Sequence, residues 1–327
     1  MGAQWPGYEP NRGEFHPEYL DTLNEIADAA AQYGIYTLMD FHQDILSEKF
    51  CGEGIPLWAA EATHSFYNKF PLPLAMPYSV DERGVPTRED CLQINWGMYG
   101  GTMAALHGYQ ALYSNHDGIQ DAFGNFWRAV AASVKGKDHV LGFDLINEPN
   151  YGDVFTRPWL LLNGWADHYN LQPMYDNLGR YIREVNDEHI VFIEPTPPDH
   201  SNKIGFSHVP GGEAYQNRSG ISFHYYSPPN AGIPEHFSGR KSEMRRLRTG
   251  GLLSEFNLNF VVFDVILRNG TTAEMLATMD ACDEHLISWT GWEYKPYYPI
   301  TGAGYSVFDG EGNLKLDVLS TLSRPYA

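Results

Sequence analysis

Short apolar runs alternate with longer amphipathic stretches along most of the 327 residues, the pattern of βα units arranged around a parallel sheet. The runs predict strands at 35–42, 140–148, 189–195, 220–226, 251–256 and 286–293, with helices at 17–33, 119–134, 172–186, 235–249 and 272–284. The first helix places Leu20, Leu23, Ile26, Ala27 and Ala30 at helical spacing and meets a stop at Gly34. Ahead of it stands only the tail of another strand, Gly2 to Trp5. The expectation is one domain, 1–327, with a loop insertion at about 43–111. That insertion lacks periodicity but is dense in aromatics and proline, so it reads as an ordered lid or wall rather than a linker.

Polar residues interrupt these runs at their C-terminal ends: Asp40, His42, Glu148, Tyr225, Glu255 and Trp292. In a (β/α)8 barrel this is the face where chemistry resides, because the βα loops converge there. Asp40 and His42 lie two apart on one strand and point the same way. Glu148 sits in Asn147-Glu148-Pro149 and Glu255 in Ser254-Glu255-Phe256. Two placed carboxylates are the minimum for retaining glycoside hydrolysis, one as acid and then base, the other as nucleophile, about 5 Å apart. Glu148 would need to hold a proton, and Glu255 would need donors that keep it ionised, with Tyr225 and His224 as candidates. The Asn147 amide is placed to bind a sugar hydroxyl.

Composition narrows the partners. A formal net charge of −19 argues against nucleic acid and anionic membranes, which demand clustered Lys and Arg. At 43% hydrophobic and 14% aromatic the chain can bury a large core. No run of about 18 apolar residues is present, and the N-terminus has no signal-peptide pattern. Cys51, Cys91 and Cys282 show no metal spacing; Cys51 and Cys91 form a disulfide or remain buried thiols. Asn217-Arg218-Ser219 and Asn269-Gly270-Thr271 are glycosylation sequons that matter only in a secretory compartment.

The Asn147-Glu148-Pro149 and Ser254-Glu255-Phe256 motifs resemble those of clan A glycoside hydrolases, family 5. The run Tyr36-Thr37-Leu38-Met39-Asp40-Phe41-His42-Gln43-Asp44, followed by Phe50-Cys51-Gly52-Glu53-Gly54-Ile55-Pro56-Leu57-Trp58, is similar to the endoglycoceramidase-like group within it. So are His224-Tyr225-Tyr226 and Trp289-Thr290-Gly291-Trp292-Glu293-Tyr294-Lys295. The resemblance implies a (β/α)8 barrel that lacks its first strand, most of its second, an arginine beside the nucleophile and a C-terminal β-sandwich. It implies Glu148 as acid/base and Glu255 as nucleophile, with Asp40, His42 and Asn147 on the sugar. Tyr225 would hydrogen-bond the nucleophile, Trp292 or Trp289 would lie under the sugar, and Trp96 would be a further contact. No metal or cofactor is implied.

The implied substrate is a glycosphingolipid cut between oligosaccharide and ceramide, with transient contact to a membrane or micelle through an apolar patch at 71–77 or 256–265. No obligate protein partner is expected, and the full-length protein is expected in the secretory pathway or outside the cell. Other readings are a β-glucosidase of glucosylceramide or steryl glucoside, a polysaccharide endo-β-glucanase, and an inactive glycan-binding remnant.

Overall fold

The structure, a computed structural model, describes residues 1–61, 69–197, 203–226, 232–256, 272–295 and 306–323. The chain divides into two compact units, Met1–Pro197 with Lys203–Gly220, and Ile221–Ala327 with Pro198–Asn202.

The first unit opens with α1 (Trp5–Tyr8) and α2 (Pro17–Ala31), which lead into β1 (Thr37–Asp40). Leu20, Leu23 and Ala27 form the buried stripe of α2, whereas Ile26 is 51% exposed and falls outside it. β1 is joined in parallel by β2 (Val140–Asp144), and β2 by β3 (Ile190–Ile193). Asp40 pairs with Asp144, which in turn pairs with Phe192, so the three strands end level. Gly142 is dictated by that approach, since a Cβ there would lie 2.0 Å from the Ile190 carbonyl oxygen. Gly2 bridges Asp40 in parallel, with Ala3 N donating to Asp40 O at 2.7 Å, as the strand tail expected before α2 requires.

The loop after β1 is built rather than irregular. It contains α3 (Leu57–Glu61), α4 (Arg88–Cys91), a 3-10 turn at Trp96–Gly101 and the helix α5 (Met103–Tyr113). The expected loop boundary at 111 is therefore too late by most of a helix. α5 buries Ala104, Ala105, Leu106, Tyr109, Ala111, Leu112 and Tyr113 on all sides, and a helix apolar all round has no stripe to betray it. A Cys51–Cys91 disulfide closes the loop over 40 residues, and Cys282 is free and buried. Phe70 packs against Tyr78 and Tyr99 at ring distances of 5.4 and 5.6 Å inside it.

α6 (Ile119–Ser133) and α7 (Gln172–Arg183) pack against each other, and Trp127 of α6 meets Phe143 of β2 at a ring distance of 5.8 Å. Phe123, Phe126 and Trp127 of α6 are fully buried, and Trp5 stacks on Phe123 at 5.3 Å. Trp127 donates its indole N–H to Leu145 O at 3.2 Å, so the aromatic core also fixes the segment that leaves β2.

The second unit carries β4 (Ser219–Tyr225), α8 (Ile233–Leu247), β5 (Gly250–Phe256), α9 (Thr272–His285), β6 (Ser288–Trp289) and α10 (Leu316–Leu322). β5 and β6 run parallel, with Leu252 opposite Ser288 and Leu253 opposite Trp289. Phe223, Tyr225, Phe237, Met244, Leu253, Phe256, Met279 and Cys282 make its core. β6 is shorter than the expected 286–293; Leu286 is 90% exposed in a left-handed turn at φ 54° and stands outside the ladder.

His236 of α8 is wholly buried beside the rings of Phe223, Tyr225 and Phe237. Burial, aided by the Arg240 guanidinium, pushes its pKa down to about 3. The unfolded chain therefore binds the extra proton first as pH falls through about 6.5. The residue's contribution to stability is complete above that pH and is lost progressively toward 3, by about 2 kcal/mol at pH 5. Urea unfolding at pH 7.5 and pH 5 checks this: His236→Asn should lose less stability on acidification than the parent. An equal loss in both would show that another group is responsible.

Candidate active site

The three level strand ends of the first unit place its polar residues together. Asp40 accepts a hydrogen bond from His42 Nδ1 at 2.9 Å, with both side chains 23% exposed, and His42 Nε2 lies 3.9 Å from Asp44 Oδ2. Asp40 thus fixes the imidazole plane, and the pair is presented where the chain leaves β1.

Glu148 does not end a regular strand. The β2 ladder stops at Asp144, four residues earlier, and Asn147 N turns to donate to Phe41 O at 3.0 Å. Glu148 then adopts φ 40°, a left-handed conformation that costs a non-glycine residue about 1–3 kcal/mol. Two buried side chains hold it there. Gln43, 1% exposed, donates its amide to Asn147 O at 2.6 Å and to Glu148 O at 3.0 Å. Its Oε1 accepts from Leu46 N and from the Tyr109 hydroxyl, each at 2.7 Å. Glu194, 2% exposed at the end of β3, accepts Glu148 N at 3.0 Å and is held through its own carbonyl by Tyr175 OH at 2.7 Å.

Every hydrogen-bonding position of the Gln43 amide is used, and the loop it reaches carries two more left-handed residues, Ile45 at φ 56° and Leu46 at φ 69°. Desolvation pushes the Tyr109 phenol well above its usual range, so it remains a donor at any working pH. Asn147 gives an amide N–H to Gln43 O at 3.1 Å. That bond ties the two loops together, a structural use of the side chain beside the sugar contact expected of it.

In the second unit, alternation along β4 decides which tyrosine meets Glu255. Phe223 and Tyr225 share the core face; Tyr225 is 3% exposed and packs on His236 and Phe237 at 5.1 and 5.9 Å. His224 and Tyr226 take the other face, where the Tyr226 hydroxyl donates to Glu255 Oε1 and His224 Nδ1 lies 3.8 Å from the same oxygen. The donor expected of Tyr225 is thus supplied by Tyr226. Ser254 Oγ, 2.5 Å from Ser222 Oγ, ties β5 to β4 one residue before the carboxylate. Trp289 packs edge-on against Phe256 at 5.7 Å at the margin of the core, while Trp292 anchors the chain by donating its backbone N–H to Phe256 O at 3.0 Å. Trp96, 48% exposed, starts the 3-10 turn in the loop after β1, which Asn95 caps through Gly97 N at 3.0 Å.

Gln43, Glu194 and Tyr226 are the residues that reading the sequence passed over. Glu194 had a visible signal: an apolar run ending in Glu194-Pro195 repeats the Glu148-Pro149 ending. Gln43 had only its place between His42 and Asp44, because its function depends on a partner more than 100 residues away.

The family model for cellulase (glycosyl hydrolase family 5) matches residues 88–297. The endoglycoceramidase of Cyanea nozakii is 41% identical, over all of this chain and 64% of that protein. That of Hydra vulgaris is 42% identical, over 91% of this chain and 55% of that protein. The chain therefore spans little more than half to two thirds of the length of these relatives. Among solved structures, endo-glycoceramidase II from Rhodococcus sp. in complex with ganglioside GM3 superposes with a TM-score of 0.74 at 19% identity, over 97% of this chain and 69% of that one. That likeness assigns the fold, a (β/α)8 barrel architecture. With the family match spanning more than half of its residues, the chain belongs to glycosyl hydrolase family 5.

Proposed function

We propose that this chain carries the catalytic barrel of a retaining endo-β-glycosidase that cleaves glycosphingolipids between the oligosaccharide and ceramide. The observation that carries this is the 41% identity, along the whole chain, to an endoglycoceramidase. A fold of the same kind has been solved with a ganglioside bound. Glu148 is the acid/base and Glu255 the nucleophile. Glu255 needs to remain ionised, and a tyrosine hydroxyl bonded to it favours that form. Glu148 protonates the departing ceramide oxygen, then takes the proton of the water that releases the sugar. Asp40, His42 and Asn147 bind the sugar next to the cleaved bond, and Trp292 or Trp289 lies beneath it.

Incubation with a purified ganglioside tests the proposal: intact oligosaccharide and free ceramide should appear in equal amounts. Stepwise release of monosaccharide would replace the endo reading with that of a β-glucosidase, and turnover confined to cellulose-type polymers would remove the lipid from the substrate altogether.

A further inference from the structure

Residues 154–169, the connection from the Glu148 end of β2 to α7, present an unusual surface. Phe155, Trp159, Leu161, Leu162, Trp165 and Tyr169 are between 41% and 56% exposed within fifteen residues. Successive turn bonds coil them together, Leu160 N to Arg157 O at 3.0 Å, Leu162 N to Trp159 O at 3.0 Å and Trp165 N to Leu162 O at 2.9 Å. The Trp165 and Tyr169 rings meet at 5.4 Å.

The coil is held out rigidly. Leu160 is 1% exposed and roots it in the core. Gly164 and Gly205 touch so closely that a Cβ on Gly205 would lie 1.8 Å from Gly164 O. Asp167 accepts Thr196 N, Thr196 Oγ1 and Gly205 N at 2.9, 2.9 and 3.0 Å. At the other end, Asp153 caps Thr156 N at 3.2 Å and faces His107 at 3.3 Å. Both carboxylates are turned inward, 6% and 2% exposed, so residues 154–169 show no exposed acid in a chain of net charge −19; Arg157 and His168 are the basic residues among them.

An apolar face fixed in water without collapsing marks a docking site, and Trp and Tyr on a nearly uncharged surface are the residues that settle at a lipid–water boundary. We propose that residues 155–169 dock on the surface of a zwitterionic phospholipid bilayer or micelle and bring the Glu148 loop to a glycolipid embedded in it. The proposal rests on the glycolipid reading above. The surface is separate from the two segments expected from sequence, 71–77, where Pro71 is buried and Leu72 is 44% exposed, and 256–265, of which only Phe256 lies within the described residues. The overall negative charge favours zwitterionic over anionic lipid.

Sedimentation with phosphatidylcholine vesicles tests this on the full-length protein. The parent should co-sediment, and less so when phosphatidylserine is added. Trp159→Ser with Trp165→Ser, and separately Leu161→Ser with Leu162→Ser, should each weaken binding at least tenfold, while kcat/KM on a soluble aryl β-cellobioside changes less than twofold. Dibrominated phosphatidylcholine should quench the tryptophan fluorescence of the parent, a readout that needs no variant. Failure of the parent to bind vesicles, absence of quenching, or unaltered binding by both double variants would overturn the docking surface. So would loss of a protein partner in those variants with vesicle binding intact. Vesicle binding without cleavage of any glycosphingolipid leaves the surface standing and removes the proposed function; cleavage in detergent without vesicle binding does the reverse.

Discussion

Glu255→Gln should lower kcat on a β-glycoside by at least about 10⁴-fold, equivalent to about 5.4 kcal/mol of barrier, with binding retained. The amide keeps the shape and can still meet the Tyr226 hydroxyl, but it cannot form the glycosyl-enzyme ester. Glu148→Gln should differ in a diagnostic way. Its loss, about 10²–10⁴-fold on natural leaving groups, should shrink when the leaving group is a dinitrophenolate that departs without a proton. Glu255→Gln should show no such rescue. Tyr226→Phe should cost about tenfold, because the ionised carboxylate loses a donor worth about 1.5 kcal/mol. Pre-steady-state and steady-state kinetics on paired substrates read all three. A leaving-group rescue of Glu255→Gln instead of Glu148→Gln would invert the two roles.

Gln43→Leu should reduce kcat about 100-fold with little change in KM and lower stability by several kcal/mol. Leucine fills the space, but it orphans the carbonyls of Asn147 and Glu148, the Leu46 amide and the Tyr109 hydroxyl, at about 1–3 kcal/mol for each buried group left unpaired. Two left-handed residues, Leu46 and Glu148, then lose bonds that hold them in that conformation. Gln43→Glu separates positioning from packing. It keeps both accepted bonds while placing a carboxylate against two carbonyl oxygens, so the Leu46 side of the loop should hold and the Glu148 side should not. A lowered thermal unfolding temperature that recovers in part at acid pH, where the protonated carboxyl can donate to one of the two carbonyls, combined with a collapsed kcat, is the expected outcome for Gln43→Glu. Unchanged kcat in both variants would show that Glu148 needs no such support.

The sheet was legible because buried parallel strands are near-continuous apolar runs, as β2 and β3 are. The carboxylates were legible because each interrupts such a run. α5 was not, since burial on every side erases the amphipathic signal that reveals a helix. The choice between Tyr225 and Tyr226 turned on one residue of strand phase, and adjacent identical side chains give composition no means of choosing. Gln43 and Glu194 escaped for a third reason: their worth lies in what they hold, and a hydrogen bond between residues 43 and 148 leaves no periodic trace.

The four bonds of the Gln43 amide also constrain how the site can be re-engineered. The turn after β1 and the turn after β2 share one keystone, so neither can be exchanged with a homologue's loop by itself; a graft of either turn has to carry residues 43–46 and 147–148 as one cassette. The unit of exchange in this scaffold is therefore the loop pair rather than the single loop.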